Sequence, residues 1–291
     1  MGYIEKKTIS KKTYYYFTTN QRVNGKFKKV RRYLGTAIPT ALAGKTNPVR
    51  VARHLTKREA LAIDTIQKHY SARHPLDKKL WGEERERLVS FIYNTNAIEG
   101  NTLTLKETDS VLKGKFGPAQ RKERDVREVQ NMKRCIDFLF EHGGELDEEM
   151  ILKLHFIEQE GIMADAGRYR GVDVRVGNYI CPPHVQVPRM MQELVIWYGA
   201  ARKKLHPFEL SSRLHLKFVR VHPFRDGNGR MARLLANFVL LKNGYPLLNI
   251  FNDKKVVYYL ELQKFDIDHK ERAFVKYLVE VFVNQYREYW K

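Results

Sequence analysis

The sequence predicts a mainly α-helical bundle with a small β-hairpin insertion, preceded by a small basic antiparallel β module. Three observations lead to this fold class. From Thr56 onward, apolar residues recur at the helical period. Residues 169–180 break that pattern with a strand-like alternation of Val172, Val174 and Val176. The first 35 residues instead combine aromatic and β-branched residues with many Lys and Arg.

The N-terminal module is expected to be a three-stranded meander. Residues 12–19 are rich in Tyr, Phe and Thr and predict the central strand. Asn24-Gly25 predicts a hairpin turn, because both turn positions need positive φ. Residues 3–10 and 27–34 supply the flanking strands, the second with a weaker alternation. A linker over residues 41–48 then closes a first domain of residues 1–48.

The remaining chain is expected to form helices. Thr56 and Glu59 make a capping-box pattern at the first of them, and Asp147 predicts a second capped start. After the Thr56 helix, the predicted helices cover residues 82–98, 122–141, 147–159, 187–201, 209–221, 228–242, 254–265 and 269–289. We divide this part into residues 49–146 and residues 147–291.

The charge of the protein is concentrated at one end. The 291 residues carry 53 Lys and Arg against 33 Asp and Glu, a net charge of +20. Residues 1–60 contain fifteen of the basic residues and only two acids. Two interpretations stay open: basic residues protect the edges of an exposed sheet, or residues 1–35 bind nucleic acid or an acidic partner.

Cysteine usage and hydropathy exclude several classes of protein. Cys135 and Cys181 are the only cysteines, so the chain is not a disulfide scaffold. No run of 18 apolar residues is present, and the first residues lack an apolar signal-peptide core. We therefore expect a soluble cytoplasmic protein with no membrane contact.

A loop between two predicted helices has the composition of a phosphate site. Gly227 and Gly229 allow tight turns whose N–H groups converge on one concavity. The N-terminus of the next helix adds its positive dipole end. Such a loop suits an anion, most often a phosphate group. The alternative, a capped helix–loop–helix corner with surface arginines, does not explain why all these residues occur together.

Charged residues around this loop add chemistry to it. His222 can act as a general base near neutral pH, and Asp226 offers a hard oxygen ligand for Mg²⁺. Arg230 and Arg233 lie three residues apart on one helix face and could clamp a polyphosphate. The set predicts nucleotidyl or phosphoryl transfer.

These residues resemble a known signature. The stretch 222–233, His-Pro-Phe-Arg-Asp-Gly-Asn-Gly-Arg-Met-Ala-Arg, matches the Fic (fido) family motif H-P-F-x-D/E-G-N-G-R-x-x-R at each defined position. The resemblance extends from about Thr56 to the end of the sequence and leaves out the basic module. It implies a protein adenylyltransferase of helical fold that moves AMP from ATP-Mg²⁺ to Ser, Thr or Tyr hydroxyls, its own included. A homodimer also fits the family.

The resemblance assigns a role to each motif residue. It makes His222 the base that deprotonates the target hydroxyl and Asp226 the Mg²⁺ ligand. The remaining assignments are Gly227, Asn228 and Gly229 to the anion hole, Arg230 to the β-phosphate, Arg233 to the γ-phosphate, and Asn237 to the nucleotide.

Two further segments acquire a meaning from the resemblance. Thr95 and Glu99 share a helix face and match the inhibitory motif S/T-x-x-x-E-G/N, in which the glutamate pairs with the second arginine of the signature. Glu99, on a helix of about residues 84–99, is thus expected to restrain transfer through Arg233. The predicted hairpin corresponds to the family's flap, which holds the target segment by main-chain pairing. Ile180, Pro182 and Pro183 are its candidate contacts.

Other functions compete with this one. The same site could remove AMP from modified proteins or transfer another phosphate-bearing group, and Glu99 could position water for AMP removal. A phosphorylating branch of the superfamily departs from the motif at the second glycine, which this chain keeps as Gly229. A nucleic-acid-binding regulator acting through the basic module is a third reading. His155 and His215, on apolar helix faces, are expected to be hydrogen-bonded core residues.

Overall fold

The computed structural model describes residues 2–9, 12–23, 26–35, 54–73, 84–115, 121–177, 179–268 and 271–290. Two compact units are present, Met1–Ala52 and Arg53–Lys291. The first domain boundary predicted from the sequence, at residue 48, lies close to this division. The linker over residues 41–48 lies outside the described residues. The boundary between residues 146 and 147 falls inside the second unit and stays a prediction.

The first unit contains the predicted meander. Its strands are β1 (Gly2–Ile9), β2 (Lys12–Val23) and β3 (Lys26–Gly35), in the spatial order β1-β2-β3. Both neighbouring pairs are antiparallel, and the register of β2 against β3 shifts between Tyr15 and Tyr16. The predicted turn residues Asn24 and Gly25 lie outside the described residues, but Val23 pairs with Lys26 across that position.

The second unit is a helical bundle with one small hairpin. Its elements, in chain order, are α1 (Lys57–Arg73), α2 (Arg85–Ile98), α3 (Leu105–Leu112), α4 (Glu123–Glu141), α5 (Glu148–Gln159), β4 (Arg175–Val176), β5 (Tyr179–Ile180), α6 (Val187–Ala201), α7 (Pro207–Val221), α8 (Asn228–Lys242), α9 (Lys255–Asp268), α10 (Glu271–Gln285) and α11 (Arg287–Trp290). The mainly α fold class is confirmed.

Local hydrogen bonds explain where several helices begin. The Thr56 backbone N–H donates to the Glu59 carboxylate at 2.7 Å, and the Glu59 N–H donates to the Thr56 hydroxyl at 3.3 Å. Asp147 caps α5 by accepting from the Met150 N–H at 2.8 Å. Helix α3 was missed by the sequence analysis, although Thr104 and Glu107 form the same kind of capping box at its start.

Helix α8 lies at the centre of the bundle. Residues 230–241 of this helix are all buried, although they include arginines and an asparagine. It packs most extensively against α7, and α4 and α5 cover the side nearest its N-terminus. A helix buried on all sides cannot show a clean amphipathic stripe. The loop that joins α7 to α8 is therefore held between rigid elements.

The β insertion is smaller than the sequence predicts. Strand pairing is confined to Arg175↔Ile180 and Val176↔Tyr179, instead of extending over residues 169–180. Residues 170–174 make other contacts. The Arg170 N–H donates to the Pro223 carbonyl at 2.9 Å, and the Val174 carbonyl accepts from the Cys181 N–H at 3.3 Å. The valine alternation thus marks an extended segment with little strand pairing.

Within the described ranges, no helix combines the length and the apolar character needed to cross a bilayer.

Candidate active site

The loop between α7 and α8 has an unusual backbone. His222 ends α7 with φ 49° and ψ 59°, and it is the one non-glycine residue with positive φ among the described residues. Gly227 follows with φ 79°, where a side chain would be strained and would also meet Glu158. The Asn228 side chain closes the loop by accepting from the Phe224 N–H at 3.0 Å and donating to the Phe224 carbonyl at 2.8 Å. One amide proton of Asn228 is thus used inside the loop.

His155 supports this loop from α5. Its ring stacks on Phe224, with centroids 3.6 Å apart. Its Nδ1 accepts from the Gly167 N–H at 2.9 Å, which leaves Nε2 to donate to the Asp226 carbonyl at 3.2 Å. Burial lowers the pKa of His155 to about 4. The expectation that this histidine is a hydrogen-bonded core residue is confirmed.

His215 is also a core residue. It is buried, and its Nε2 lies 3.0 Å from the Tyr258 hydroxyl. Burial, helped by the charge of Arg233, lowers its pKa to about 3. Neither His155 nor His215 is therefore a candidate base at neutral pH.

Arg170 joins the loop to the base of the hairpin, and the sequence analysis missed it. Its guanidinium donates to three backbone carbonyls: His222 at 2.8 Å, Val172 at 2.8 Å and Pro182 at 2.5 Å. The side chain is fully buried. An arginine in a loop gives no periodic signal, so nothing in the sequence alone distinguished it from other basic residues.

The environment of His222 suits a base. Burial is the largest cause of its lowered pKa, and the charge of Arg170 acts in the same direction. The Val219 carbonyl, Glu99 and Asp226 act in the opposite direction without reversing the shift. The imidazole is therefore neutral at pH 7 and able to accept a proton.

Asp226 belongs to the loop and is already paired. Its carboxylate accepts from the Gly227 N–H at 2.6 Å and from Arg124 of α4 at 2.9 Å. Burial would raise its pKa, but Arg230, the Gly227 N–H and Arg124 together hold the pKa below the usual range. Asp226 is therefore ionised and remains 44% exposed, as a ligand for Mg²⁺ requires.

A metal at this position would need ligands besides the protein. In the part of the chain that the structure describes, no three His, Cys, Asp or Glu side chains are grouped to hold a metal ion. A single carboxylate fits Mg²⁺ that arrives with nucleotide phosphates, since Mg²⁺ is commonly bound through one or two carboxylates and substrate oxygens.

Arg230 is surrounded by carboxylates. Its Nε lies 2.7 Å from Glu158, and its terminal nitrogens lie 3.0 Å from Glu128 and 3.6 Å from Asp226. Burial raises the pKa of Glu158, whereas these acids raise the pKa of Arg230 and keep it charged. Arg230 thus anchors α8 to α4 and α5. A direct contact with a β-phosphate stays a prediction.

Arg233 is paired as the inhibitory motif predicts. Its Nη2 donates to the Glu99 carboxylate at 2.8 Å and to the Thr95 carbonyl at 2.9 Å, and its Nε donates to the Thr95 hydroxyl at 2.8 Å. Arg233 and Thr95 are buried, whereas the Glu99 side chain is 28% exposed. Burial opposes the charge of Arg233, but Glu99 raises its pKa.

The Glu99 carboxylate also lies against the start of α8. A Cβ added to Gly229 would overlap Glu99 Oε1 and would come close to Arg233. Gly229 therefore leaves room for the carboxylate beside the helix. Glu99 occupies the space beside the N-terminus of α8, where backbone N–H groups attract an anion.

Asn237 is held by hydrogen bonds inside the protein, and its contact with a nucleotide stays a prediction. Its amide donates to the Arg233 carbonyl at 2.9 Å and to the Leu248 carbonyl at 3.0 Å, and it accepts from the Leu248 N–H at 2.7 Å. Both amide protons are used inside the protein, and the residue is buried. Asn237 fastens the segment after α8 to the helix.

A cavity of about 360 Å³ opens beside His222 and Gly229. Glu99 projects into it from one side, and the hairpin borders it through Val176 and Tyr179. The other walls are mostly apolar or aromatic and include Leu216, Val219, Tyr258, Tyr259 and Leu262. Such a lining suits a flat aromatic group attached to an anion.

The candidate flap residues lie at different exposures. Ile180 is 76% exposed at the end of β5. Pro183 is exposed, and Pro182 is half-buried and gives its carbonyl to Arg170. Their contact with a target segment stays a prediction.

Comparison with known proteins defines the class. Residues 145–240 match the family model described as the Fic/DOC family, a range that includes the loop and both arginines. This part of the chain is similar to the Fic/DOC family. The basic sheet and helices α1–α4 lie outside the matched residues.

Particular relatives agree with this class. Protein adenylyltransferase Fic of Culex quinquefasciatus is 27% identical over 82% of this chain, and that of Drosophila grimshawi is 29% identical over 82%. The chain spans about half the length of these relatives, 49% and 50%.

Solved structures share the fold. A Fic domain containing signaling protein from Bacteroides thetaiotaomicron superimposes with a TM-score of 0.71 at 27% identity, over 79% of this chain and 96% of that one. Fic-1 from C. elegans gives a TM-score of 0.72 at 26% identity, over 80% and 71%.

Proposed function

We propose that this protein is a protein adenylyltransferase held in check by Glu99. The pairing of Glu99 with Arg233, against Gly229, is the observation that carries the proposal. The names of the Culex and Drosophila relatives support AMP transfer as the reaction. The substrates are Ser, Thr or Tyr hydroxyls of proteins, including hydroxyls of this chain.

His222 supplies the base in this proposal. Its neutral imidazole takes the proton from the target hydroxyl, whose oxygen then forms a bond to the α-phosphorus of ATP, and the bond to pyrophosphate breaks. The left-handed backbone of His222 is fixed by the Arg170 hydrogen bond to its carbonyl. A base fixed in this way loses little entropy when the hydroxyl arrives.

The phosphates are assigned to the start of α8. The N–H groups of Gly227, Asn228 and Gly229 would face the anion, and Arg233 would bind its outer phosphate once Glu99 has left. Asp226 would hold Mg²⁺, which neutralises charge on the phosphates when bound. The aromatic wall of the cavity, with Tyr258 and Tyr259, would bind the adenine ring of ATP.

Glu99 acts as a brake by two effects. It occupies a donor of Arg233 that a γ-phosphate needs, and its negative charge repels that phosphate. The pair is mostly buried, so solvent screens the repulsion only weakly. ATP would then bind in a position from which the α-phosphorus cannot be attacked.

Label position tests the reaction class. The Glu99→Gly variant is incubated with Mg²⁺ and ATP labelled at either the α- or the γ-phosphate. We expect protein-bound α-label and no γ-label, and loss of the α-label when His222→Ala is added. Transfer of γ-label would show phosphorylation, and α-label that persists without His222 would remove the proposed base.

Removal of AMP is a second candidate function of the same site. The observation in its favour is that Glu99 and His222 line one cavity, so the carboxylate could position a water molecule. To distinguish AMP removal from AMP transfer, AMP-modified protein is incubated with wild type and with Glu99→Gln, and the AMP that stays bound is measured. Loss of AMP that requires the Glu99 carboxylate would favour removal.

A further inference from the structure

The sheet of the first unit has no part in the proposed transfer reaction. Its three strands carry nine Lys and Arg and a single acid, Glu5. Residues 53–291 are far more balanced, with 41 basic residues against 32 acids. The sheet also lies outside the residues that match the Fic/DOC family. Such a density of positive charge indicates a polyanionic partner.

Among the described residues, part of the sheet pairs as two strands only. β1 pairs with residues 12–19 of β2, up to Gly2↔Thr19. The pairing of β2 with β3 continues beyond that point, from Asn20↔Lys29 to Val23↔Lys26. Residues 20–23 and 26–29 therefore form a two-stranded ribbon of four residue pairs. At about 3.4 Å per residue the ribbon is about 13 Å long.

The strand register places residues of types that bind base edges on one face of the ribbon. Asn20 pairs directly with Lys29, and Arg22 with Phe27, so the alternation of strands puts these four residues on the same face. Arg and Lys pair with guanine, Asn pairs with adenine, and an apolar group contacts the thymine methyl. An acidic protein partner would require only positive charges on the ribbon and would not require these particular residue types.

The dimensions favour duplex DNA. Its major groove is about 12 Å wide and about 8.5 Å deep and admits a two-stranded ribbon. The major groove of an RNA duplex is too deep and narrow for this. Arg31 and Arg32 follow the ribbon on β3, on opposite faces, where basic residues can reach the phosphates beside the groove.

We propose that the ribbon formed by residues 20–23 and 26–29 binds the major groove of duplex DNA through the face on which the register places Arg22 and Lys29. Arg31 and Arg32 bind the backbone. The inference is independent of AMP transfer, because none of these residues belongs to the catalytic unit.

Salt-dependent binding tests the proposal. The full chain is titrated into a fluorescent DNA duplex of about 20 base pairs, two helical turns, at several NaCl concentrations. The test variant combines Arg22→Gln with Lys29→Gln. The matched control combines Lys203→Gln with Lys204→Gln, two exposed body lysines whose loss changes the net charge equally. Equal melting temperatures for both variants and wild type establish that each is folded.

We expect wild type and control to bind the duplex alike and the ribbon variant to bind at least tenfold more weakly. A second variant, Arg31→Gln with Arg32→Gln, should make the slope of log K against log salt shallower by about 1.8, since each lost phosphate contact contributes about 0.9. The proposal is overturned if the ribbon variant binds like the control. It is also overturned if single-stranded RNA or an acidic peptide binds more tightly than the duplex.

Discussion

At the scale of single residues, the site combines groups that the motif predicts with groups that only the fold brings together. The signature in residues 222–233 was sufficient to predict His222, Asp226 and the two arginines as neighbours. The pairing of Glu99 with Arg233 was also predicted, and its distance of 2.8 Å agrees. Arg170 was not predicted, because a buried arginine that binds backbone carbonyls has no sequence signature.

Two arginines of the motif have different surroundings, which spacing could not show. Arg230 is surrounded by acids from α4 and α5, whereas Arg233 pairs with Glu99 at the end of α2. Only long-range packing puts Glu128 and Glu158 beside Arg230. The hydrogen bonds of Asn237 could not be predicted for a similar reason, since its partner Leu248 comes from the segment that follows α8.

Replacing Arg170 should change the pH dependence of the reaction. In the Glu99→Gly background, Arg170→Met removes a positive charge that lowers the pKa of His222, so that pKa rises. The base is active when unprotonated, and the acid limb of the rate profile therefore moves to higher pH. We expect the maximal rate to fall at least tenfold as well, because the His222 carbonyl loses its donor. Initial rates of AMP incorporation between about pH 5 and 8 measure both effects.

Two control variants separate positioning from general damage. Arg168→Met removes an exposed arginine two residues away and should leave the profile unchanged. Arg170→Lys keeps the charge and should keep the acid limb near its original pH while the rate still falls. If Arg170→Met lowers the rate with no movement of the acid limb, Arg170 does not influence the base.

At the scale of elements, the helical period predicted most helices to within a few residues. Helix α3 was missed because it has only eight residues and two buried ones, Thr108 and Val111. The strands near residues 169–180 were overpredicted. Alternating valines also occur in extended segments that form few strand-pairing hydrogen bonds. Helix α4 was predicted, but its contact with the motif loop depends on tertiary packing.

That contact gives α4 a measurable influence on metal binding. Arg124 occupies Asp226 Oδ2, the oxygen expected to bind Mg²⁺. Arg124→Ala should free this oxygen and lower the Mg²⁺ concentration needed to stabilise the protein with a non-hydrolysable ATP analogue. The pair is half exposed, so the effect should be about two- to fivefold, corresponding to at most about 1 kcal/mol.

Thermal melting at increasing Mg²⁺ concentration measures this effect without any turnover. Arg127→Ala is the matched control, because Arg127 lies on the same helix and pairs with Glu123, away from Asp226. An Arg124→Ala variant that needs as much Mg²⁺ as the control, or more, would show that Arg124 does not compete with the metal.

At the scale of the whole molecule, charge and chemistry belong to different units. The first 52 residues hold the basic sheet, and the compact body holds every residue of the candidate site. The uneven charge predicted this division from the sequence. The partner of the sheet could not be predicted from charge alone, because it depends on the strand register.

Removal of residues 1–52 should therefore leave the body intact. We expect the melting temperature of the main transition and the AMP incorporation of the Glu99→Gly variant to be unchanged, because the core that surrounds α8 lies within residues 53–291. DNA binding should disappear. Loss of AMP incorporation on truncation, with melting unchanged, would mean that the sheet takes part in the reaction.

The central claim is that Glu99 prevents productive binding of ATP. Intact mass spectrometry after incubation with ATP and Mg²⁺ tests it most directly, on wild type, Glu99→Gly and Glu86→Gly, the last removing an exposed glutamate of the same helix. We predict added AMP on Glu99→Gly at least tenfold above wild type, and no rise for Glu86→Gly. Equal modification of wild type and Glu99→Gly would contradict the account.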